Sequence, residues 1–260
     1  MHQDNSFITL TYNDEHLPEN GQLVKKDFQK FMKRLRKQCG KVRYYQCGEY
    51  GSQYDEQGNK ITDSLNRELL GRPHFHACLF GLDFPDKELW TVRNGINLYR
   101  SPTLEKIWKK GYSSIGNVTF ESAAYVARYI TKKLNGEKEK ETCEQGLKHY
   151  EKLTEHGEII TMEKEYTNMS RRPGIGKDWF EHYHDDVYQH DSITLRGKEM
   201  KPPRYYMNLY EQIDEVGHDQ VKEKRRVAGL NNQHENTIDR LRAREKVKLA
   251  AITTLKRELT

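Results

Sequence analysis

Two residue patterns in this chain are able to do chemistry. The first is His74-Phe75-His76. Side chains two apart on a β-strand project to one face, so these imidazoles would stand side by side while Phe75 turns the other way, into a core. Paired imidazoles on one rigid face make half of a divalent-metal site, although the same pattern also occurs on solvated sheet faces. The second pattern is Tyr125 and Tyr129, with Arg128 three residues beyond the first and Lys132 three beyond the second. On a helix, side chains four apart stack on one face, roughly 6 Å apart along the axis. There they either pack a core or present two phenols to a substrate. A phenol, with a free pKa of about 10, is a weak nucleophile. A metal activating a phosphodiester, and an ammonium beside the phenolate, would make it a useful one.

The elements that must hold these residues can be read from local pattern. Arg72 to Phe80 is aromatic and apolar, lies between Gly71 and Gly81, and reads as a strand. Phe7 to Tyr12 alternates apolar and hydroxyl residues, a half-buried strand. Val42 to Gly48 is a further strand. The polar, turn-rich residues 52–71 then make a flexible hairpin tip leading back to the histidines, which would bring Glu49 near them; taken alone, Glu49 is also an ordinary loop carboxylate. Between the first two of these strands in sequence, Val24 to Cys39 carries Phe28, Phe31, Met32 and Leu35 at helical spacing, with a basic opposite face and Gly40 as a stop. That basic face is either solvated surface or a phosphate contact. Pro102 to Trp108 is a short helix capped by Ser101, and Gly111 to Thr119 is a strand candidate. Glu121 to Leu134 is an alanine-rich helix, acidic at its start and basic at its end, closed by Asn135-Gly136.

Further along, the residues up to about Thr167 are polar and of mixed charge, an insertion or mobile excursion. Ser170 to Lys177, followed by Trp179-Phe180, is basic and glycine-bearing; it suits a single nucleic-acid strand, and equally an ordinary turn before an apolar anchor. His182, His184 and His190, mixed with tyrosines and acids, read as polar surface. Lys201 to Tyr206 is another basic-aromatic turn. From Val221 onward the chain is charge-dense, with apolar residues that suggest a weakly packed helix. The resulting division is a core over 1–136, an insertion and basic-aromatic accessory region over 137–217, and a charged helical tail over 218–260.

Composition limits the function classes. Hydrophobic residues make up 35% of the 260 and charged residues 32%, lean for one compact globule. A formal net charge of +5 fits a polyanionic partner without demanding one. The four cysteines show no C-x-x-C spacing and read as reduced thiols in a cytosol. There is no apolar run of membrane-spanning length, no visible signal peptide and no phosphate loop for an ATP motor. The first strand begins almost at Met1, so upstream residues are suspected to be missing.

Taken in order, the Thr-rich strand Phe7 to Tyr12, the segment Gln46-Cys47-Gly48-Glu49, the pair His74-Phe75-His76 and the helix with Tyr125-x-x-x-Tyr129-x-x-Lys132 resemble the HUH endonucleases, the rolling-circle replication initiators. Within that superfamily the chain looks most like the initiators of microviruses, small single-stranded DNA phages, and of their gokushovirus branch. The paired tyrosines carry the phage likeness, and the basic segment from Ser170 to Trp179 shares it. The likeness covers residues 7 to 134, and more loosely extends to about 210.

The resemblance implies an α+β fold, a central antiparallel sheet of about five strands flanked by helices, with a helical, charge-rich C-terminal extension. It implies His74 and His76 as metal ligands and Glu49 as the third, with Gln46 and Glu56 as competitors for that place. The metal would be Mg²⁺ or Mn²⁺. Tyr125 and Tyr129 would be the nucleophiles, Lys132 would orient the phosphate or steady the phenolate, and Arg128 would assist Tyr125. Tyr129 ranks first because it carries the Tyr-x-x-Lys spacing, though the family permits either. Arg128, Lys133, Arg171, Arg172 and Lys177 would contact DNA. The implied activity is nicking of single-stranded DNA at a phage origin in the cytoplasm of a bacterial host, with host helicase and polymerase as further partners and no membrane. Two competing readings remain. One is a non-catalytic single-strand binder. The other is a related transposase or relaxase, although relaxases usually place the nucleophile ahead of the histidines.

Overall fold

The computed structural model describes residues 2–254, without the side chains of residues 129–132 and 253. The chain divides into two compact units, with the boundary between Arg171 and Arg172. The first contains strands β1 (Asn5–Tyr12), β2 (Arg43–Ser52), β3 (Leu70–Phe80), β4 (Glu88–Arg93), β5 (Ile96–Arg100), β6 (Gly111–Gly116), β7 (Glu151–Leu153), β8 (Ile159–Thr161) and β9 (Tyr166–Met169). Its helices are α1 (Lys25–Cys39), α2 (Pro102–Trp108), α3 (Phe120–Lys132) and the single turn α4 (Glu137–Lys140).

The fold is α+β, built on a seven-stranded sheet in the order β4-β5-β6-β1-β3-β2-β9, with every pairing antiparallel. The sheet is therefore larger than the five or so strands expected. The β4–β5 hairpin extends one end. At the other, β9 pairs with β2 from Tyr45↔Met169 to Gly48↔Tyr166. That strand comes from the stretch the sequence suggests is an insertion. The same stretch supplies Tyr150 and Met162 to the main core, while its hairpin β7–β8 stands apart from the sheet.

The sheet has two different faces. Ile8, Leu10 and Tyr12 of β1 and Phe75, Ala77 and Leu79 of β3 all face one way and are buried. Against them pack Phe28, Phe31, Met32 and Leu35 of α1 and Leu104, Ile107 and Trp108 of α2, forming the main core. Each fully buried side chain of this size contributes about 1.5–3 kcal/mol, so this layer is what holds the sheet. The basic face of α1 is partly committed to structure. Arg34 donates to the carbonyls of Ile107 and Trp108 at the end of α2, and Arg36 donates to that of Val42. Gly111 has φ +141°, and a Cβ there would lie 2.2 Å from the Asn13 nitrogen, so only glycine lets β6 begin beside the end of β1.

The opposite face carries Thr9, His74, His76, Cys47 and Glu49, and α3 packs over it across β2, β3 and β9. The start of α3 is fixed by a capping box in which Thr119 and Ser122 exchange side-chain and backbone hydrogen bonds. Beyond its end, the Tyr150 hydroxyl accepts from the Leu134 amide and donates to Glu165 at 2.6 Å.

The second unit, from Arg172, contains α5 (Lys177–His190), the hairpin β10 (Ile193–Leu195)–β11 (Lys198–Met200), α6 (Arg204–Ile213), α7 (Glu215–Asn231) and α8 (Ile238–Thr253). The basic-aromatic turn expected at Lys201 to Tyr206 runs into α6 instead, with Pro202-Pro203 just before its first turn. The segment with His182, His184 and His190 is helix α5. A small cluster of Phe180, Val187, Tyr188, Met207 and Val221 joins α5, α6 and α7.

Candidate metal centre

Antiparallel register brings together residues far apart in sequence. In β3, His74 is paired with Glu49 of β2 and Thr11 of β1; His76 is paired with Cys47 and Thr9. Directly paired residues share a face, so both imidazoles and the carboxylate rise on the α3 side. Glu49 Oε1 lies 2.8 Å from His74 Nε2 and 2.7 Å from His76 Nε2. Tyr125, reaching down from α3, donates its phenolic hydrogen to the same Oε1 at 3.3 Å. Its ring meets that of His76 edge-on, with centroids 5.1 Å apart. Glu49 is 2% and Tyr125 7% exposed.

The donor set fits a divalent cation. Carbonyl oxygens only accept, so the contact between His74 Nδ1 and the Arg72 carbonyl at 3.1 Å places a proton on Nδ1. In the neutral ring the Nε2 lone pair then points at Glu49, a repulsive arrangement unless a cation or a second proton lies between them. Two neighbouring ligands on an octahedral ion with bonds of about 2.0–2.1 Å would be about 2.9 Å apart, close to the observed separations. Ligand atoms of Glu49, His74 and His76 all lie within 4.8 Å of one another, and these three form the only such cluster among the described residues. Burial disfavours ionisation of Glu49, but hydrogen bonds from His74 and His76 and their positive charge outweigh it and hold the carboxyl well below its usual range. A buried carboxylate of this kind supplies the negative charge that a cation requires.

Gln46 is paired with Ala77, on the opposite face from His76, and Glu56 sits in the exposed tip between β2 and β3, so neither shares the place of Glu49. Two supporting residues escaped the sequence reading. Thr9 Oγ1 lies 2.9 Å from His76 Nδ1 and fixes the plane of that ring. At Gly51, a Cβ would come within 3.1 Å of His74 Cε1, so glycine leaves room for the other ring. The polar alternation of β1 hinted at Thr9; nothing short of strand register pointed to Gly51.

The other expected residues are placed as follows. Residue 129 lies one helical turn beyond Tyr125, but the side chains of Tyr129 and Lys132 lie outside the described residues. Arg128 is half-buried on α3, and Lys133 forms its C-terminal cap. Arg171, exposed, ends the first unit; Arg172, also exposed, and Lys177 belong to the second, where Lys177 pairs with Glu181 at 3.1 Å. No helix among the described residues is long and apolar enough to cross a membrane.

The chain is similar to the replication-associated protein ORF2 of Spiroplasma virus 4, 34% identical over 233 residues that make up 85% of this chain and 63% of the relative. It is 30% identical to the replication-associated protein VP4 of Bdellovibrio phage phiMH2K, over 82% of this chain and 59% of that one. It is 26% identical to the replication-associated protein ORF4 of Chlamydia phage 1, over 82% and 47%. The matched region thus spans about half to two thirds of the length of these relatives. No solved structure matches the chain. Residues 5–134, which hold β1, the Glu-His-His cluster and the whole of α3, match the family of the phage replication-associated protein ORF2, and the chain belongs to that family.

Proposed function

We propose that this chain is a phage replication initiator that nicks single-stranded DNA at an origin by tyrosine attack and later rejoins the strands. The observation that carries this reading is a single oxygen: Glu49 Oε1 is in contact with both imidazoles and with the hydroxyl of Tyr125. A phenol this close to a metal-binding cluster has no need of that position for packing alone.

His74, His76 and Glu49 would hold Mg²⁺ or Mn²⁺. When bound, the cation supplies Lewis-acid polarisation of a phosphate oxygen. Tyr125 or Tyr129 attacks the phosphorus: a phenolic O–P bond forms and the P–O3′ bond breaks. The phenol loses its proton, and the departing oxygen gains one to become a free 3′-OH. The 5′-phosphotyrosyl bond retains the phosphodiester's energy, so rejoining requires no ATP. Two phenols allow two successive transfers, one holding the first 5′ end while the other cuts the regenerated origin. Lys132 orients the phosphate or steadies the phenolate, Arg128 assists Tyr125, and Lys133, Arg171, Arg172 and Lys177 contact the DNA backbone. Host helicase and polymerase would extend the 3′ end in the bacterial cytoplasm.

The test is incubation with an origin-containing single strand and Mn²⁺, followed by denaturing electrophoresis. A covalent protein–DNA adduct is expected, absent with EDTA or with His74→Ala, and absent when Tyr125 and Tyr129 are both Phe. If no adduct forms with any phage-derived strand, the reading fails.

A further inference from the structure

α3 packs over β2, β3 and β9, which leaves the metal-bearing face open towards β6, β5 and β4. Tyr112 of β6 stands there. It is paired with Thr11, which is paired with His74, itself paired with Glu49. All four side chains therefore rise from one face along one row. Two strand spacings, about 10 Å, separate the backbone of Tyr112 from that of His74. Tyr112 is 61% exposed, although its strand is paired on both sides within the sheet. A large ring held open to solvent on an inner strand buries little and stabilises little.

A second exposed ring follows on the same side. Tyr99 of β5 is paired with Ile115, which is paired with Ile8 on the α1 face, so by alternation Leu98 and Arg100 point to the metal face. Consistent with this, Leu98 lies 3.8 Å from where a Cβ of Gly116 would be, and Gly116 is paired with Phe7 of the cluster beneath α3. The ring of Trp90, at the bulge of β4, is 5.7 Å from the guanidinium carbon of Arg100 and 5.6 Å from that of Arg93, and Trp90 is 50% exposed. Arg100 also pairs with Glu105, while Arg93 is exposed.

We propose that this open half of the metal face is a track for single-stranded nucleic acid, on which unpaired bases stack on Tyr112 and Trp90 and phosphates meet Arg93 and Arg100. The proposal deepens the nickase reading and rests on it. Exposed rings suit a single strand because every unpaired base has a π-face to offer, whereas the bases of a duplex are already stacked. Guanidinium groups beside the indole match the charge that alternates with those bases along the strand. Continuity with the row of Glu49 and His74 gives the track its direction, from the β4–β5 hairpin towards the cation site.

The test measures fluorescence anisotropy of a short labelled oligodeoxythymidine with the full chain in EDTA, so that binding is read without cleavage. Tyr112→Ala and Trp90→Ala should each weaken binding about ten-fold, and Tyr112→Phe and Trp90→Tyr by less than about two-fold. Mn²⁺ binding, measured by titration calorimetry, should be unchanged in all four. If the wild-type chain binds and the alanine variants bind as well as it does, the track is refuted and the nickase reading stands. The track is equally refuted if the aromatic replacements lose as much as alanine, or if Trp90→Ala changes only the oligomeric state, which would assign the hairpin to a second copy. If the wild-type chain binds no single strand at all, the nickase reading falls as well.

Discussion

At the scale of single residues, the site depends on how two imidazole rings are held. Each has its Nε2 turned to Glu49 because its Nδ1 is occupied, by the Arg72 carbonyl for His74 and by Thr9 for His76. Groups behind a ligand set its orientation, and losing one commonly costs 10–100-fold in metal affinity. Thr9→Val should therefore weaken Mn²⁺ binding by about ten-fold or more, whereas Thr9→Ser, which keeps the hydroxyl, should stay near wild type; calorimetric titration reads both. Gly51→Ala tests the same principle by crowding. Its Cβ would be 3.1 Å from His74 Cε1, tighter than ordinary contact, so the ring must turn. The expected result is weaker Mn²⁺ binding with an unchanged urea midpoint. A large loss of stability instead would show that the glycine serves the strand and not the ring.

At the scale of elements, α3 must be held at both ends for Tyr125 to meet Glu49. The capping box fixes the beginning. Beyond the end, Tyr150 accepts from the Leu134 amide and donates to the buried Glu165. Tyr150→Phe removes both bonds and leaves a buried carboxylate short of a donor, so a loss of about 1–3 kcal/mol is expected in urea unfolding. In the second unit, Asp191 at the end of α5 accepts from Arg225 of α7 and from Lys201, each at 2.8 Å. Burial raises its pKa, but the hydrogen bonds and charges of Arg225 and Lys201 outweigh this and leave it below the usual carboxylate range. A depressed folded-state pKa stabilises the protein above the unfolded value, and that stability is lost as pH falls through the folded value. Asp191→Asn should therefore destabilise the chain by about 2 kcal/mol at neutral pH. The difference from wild type should shrink steadily below about pH 4. Denaturation at a series of pH values checks this, and a pH-independent difference would mean that the ion pair is not its source.

At the scale of the whole molecule, the first unit contains everything the cation site requires. Both core clusters of the sheet draw only on residues before Arg172, and the third cluster only on residues after it. Residues 1–171 expressed alone should then fold and bind Mn²⁺ within about three-fold of the full chain, since all the ligands and their supports are retained. An unfolded fragment would show that the sheet depends on the second unit.

Much of this molecule is written locally. Phe28, Phe31, Met32 and Leu35 set α1 by their spacing, Ser101 and Pro102 set the start of α2, and alternation set β1 and β3, because helix and strand periods need only near neighbours. The same alternation placed His74 and His76 together with Phe75 behind them. Strand β9 was not legible, because four polar and aromatic residues become a strand only when β2 offers its edge. The β4–β5 hairpin, with its exposed apolar residues, likewise lacks a simple alternation of buried and exposed positions.

The sequence alone determined the types of the reactive groups and the two local faces that carry them, since both follow from spacing within one element. Only the tertiary structure chose Glu49 over Gln46 and Glu56, put Thr9 and Gly51 behind the imidazoles, and brought Tyr125 to the same carboxylate. Those choices depend on which residues lie opposite one another across strands and on where a helix docks, and shifting a strand by a single residue would turn every one of these side chains to the other face.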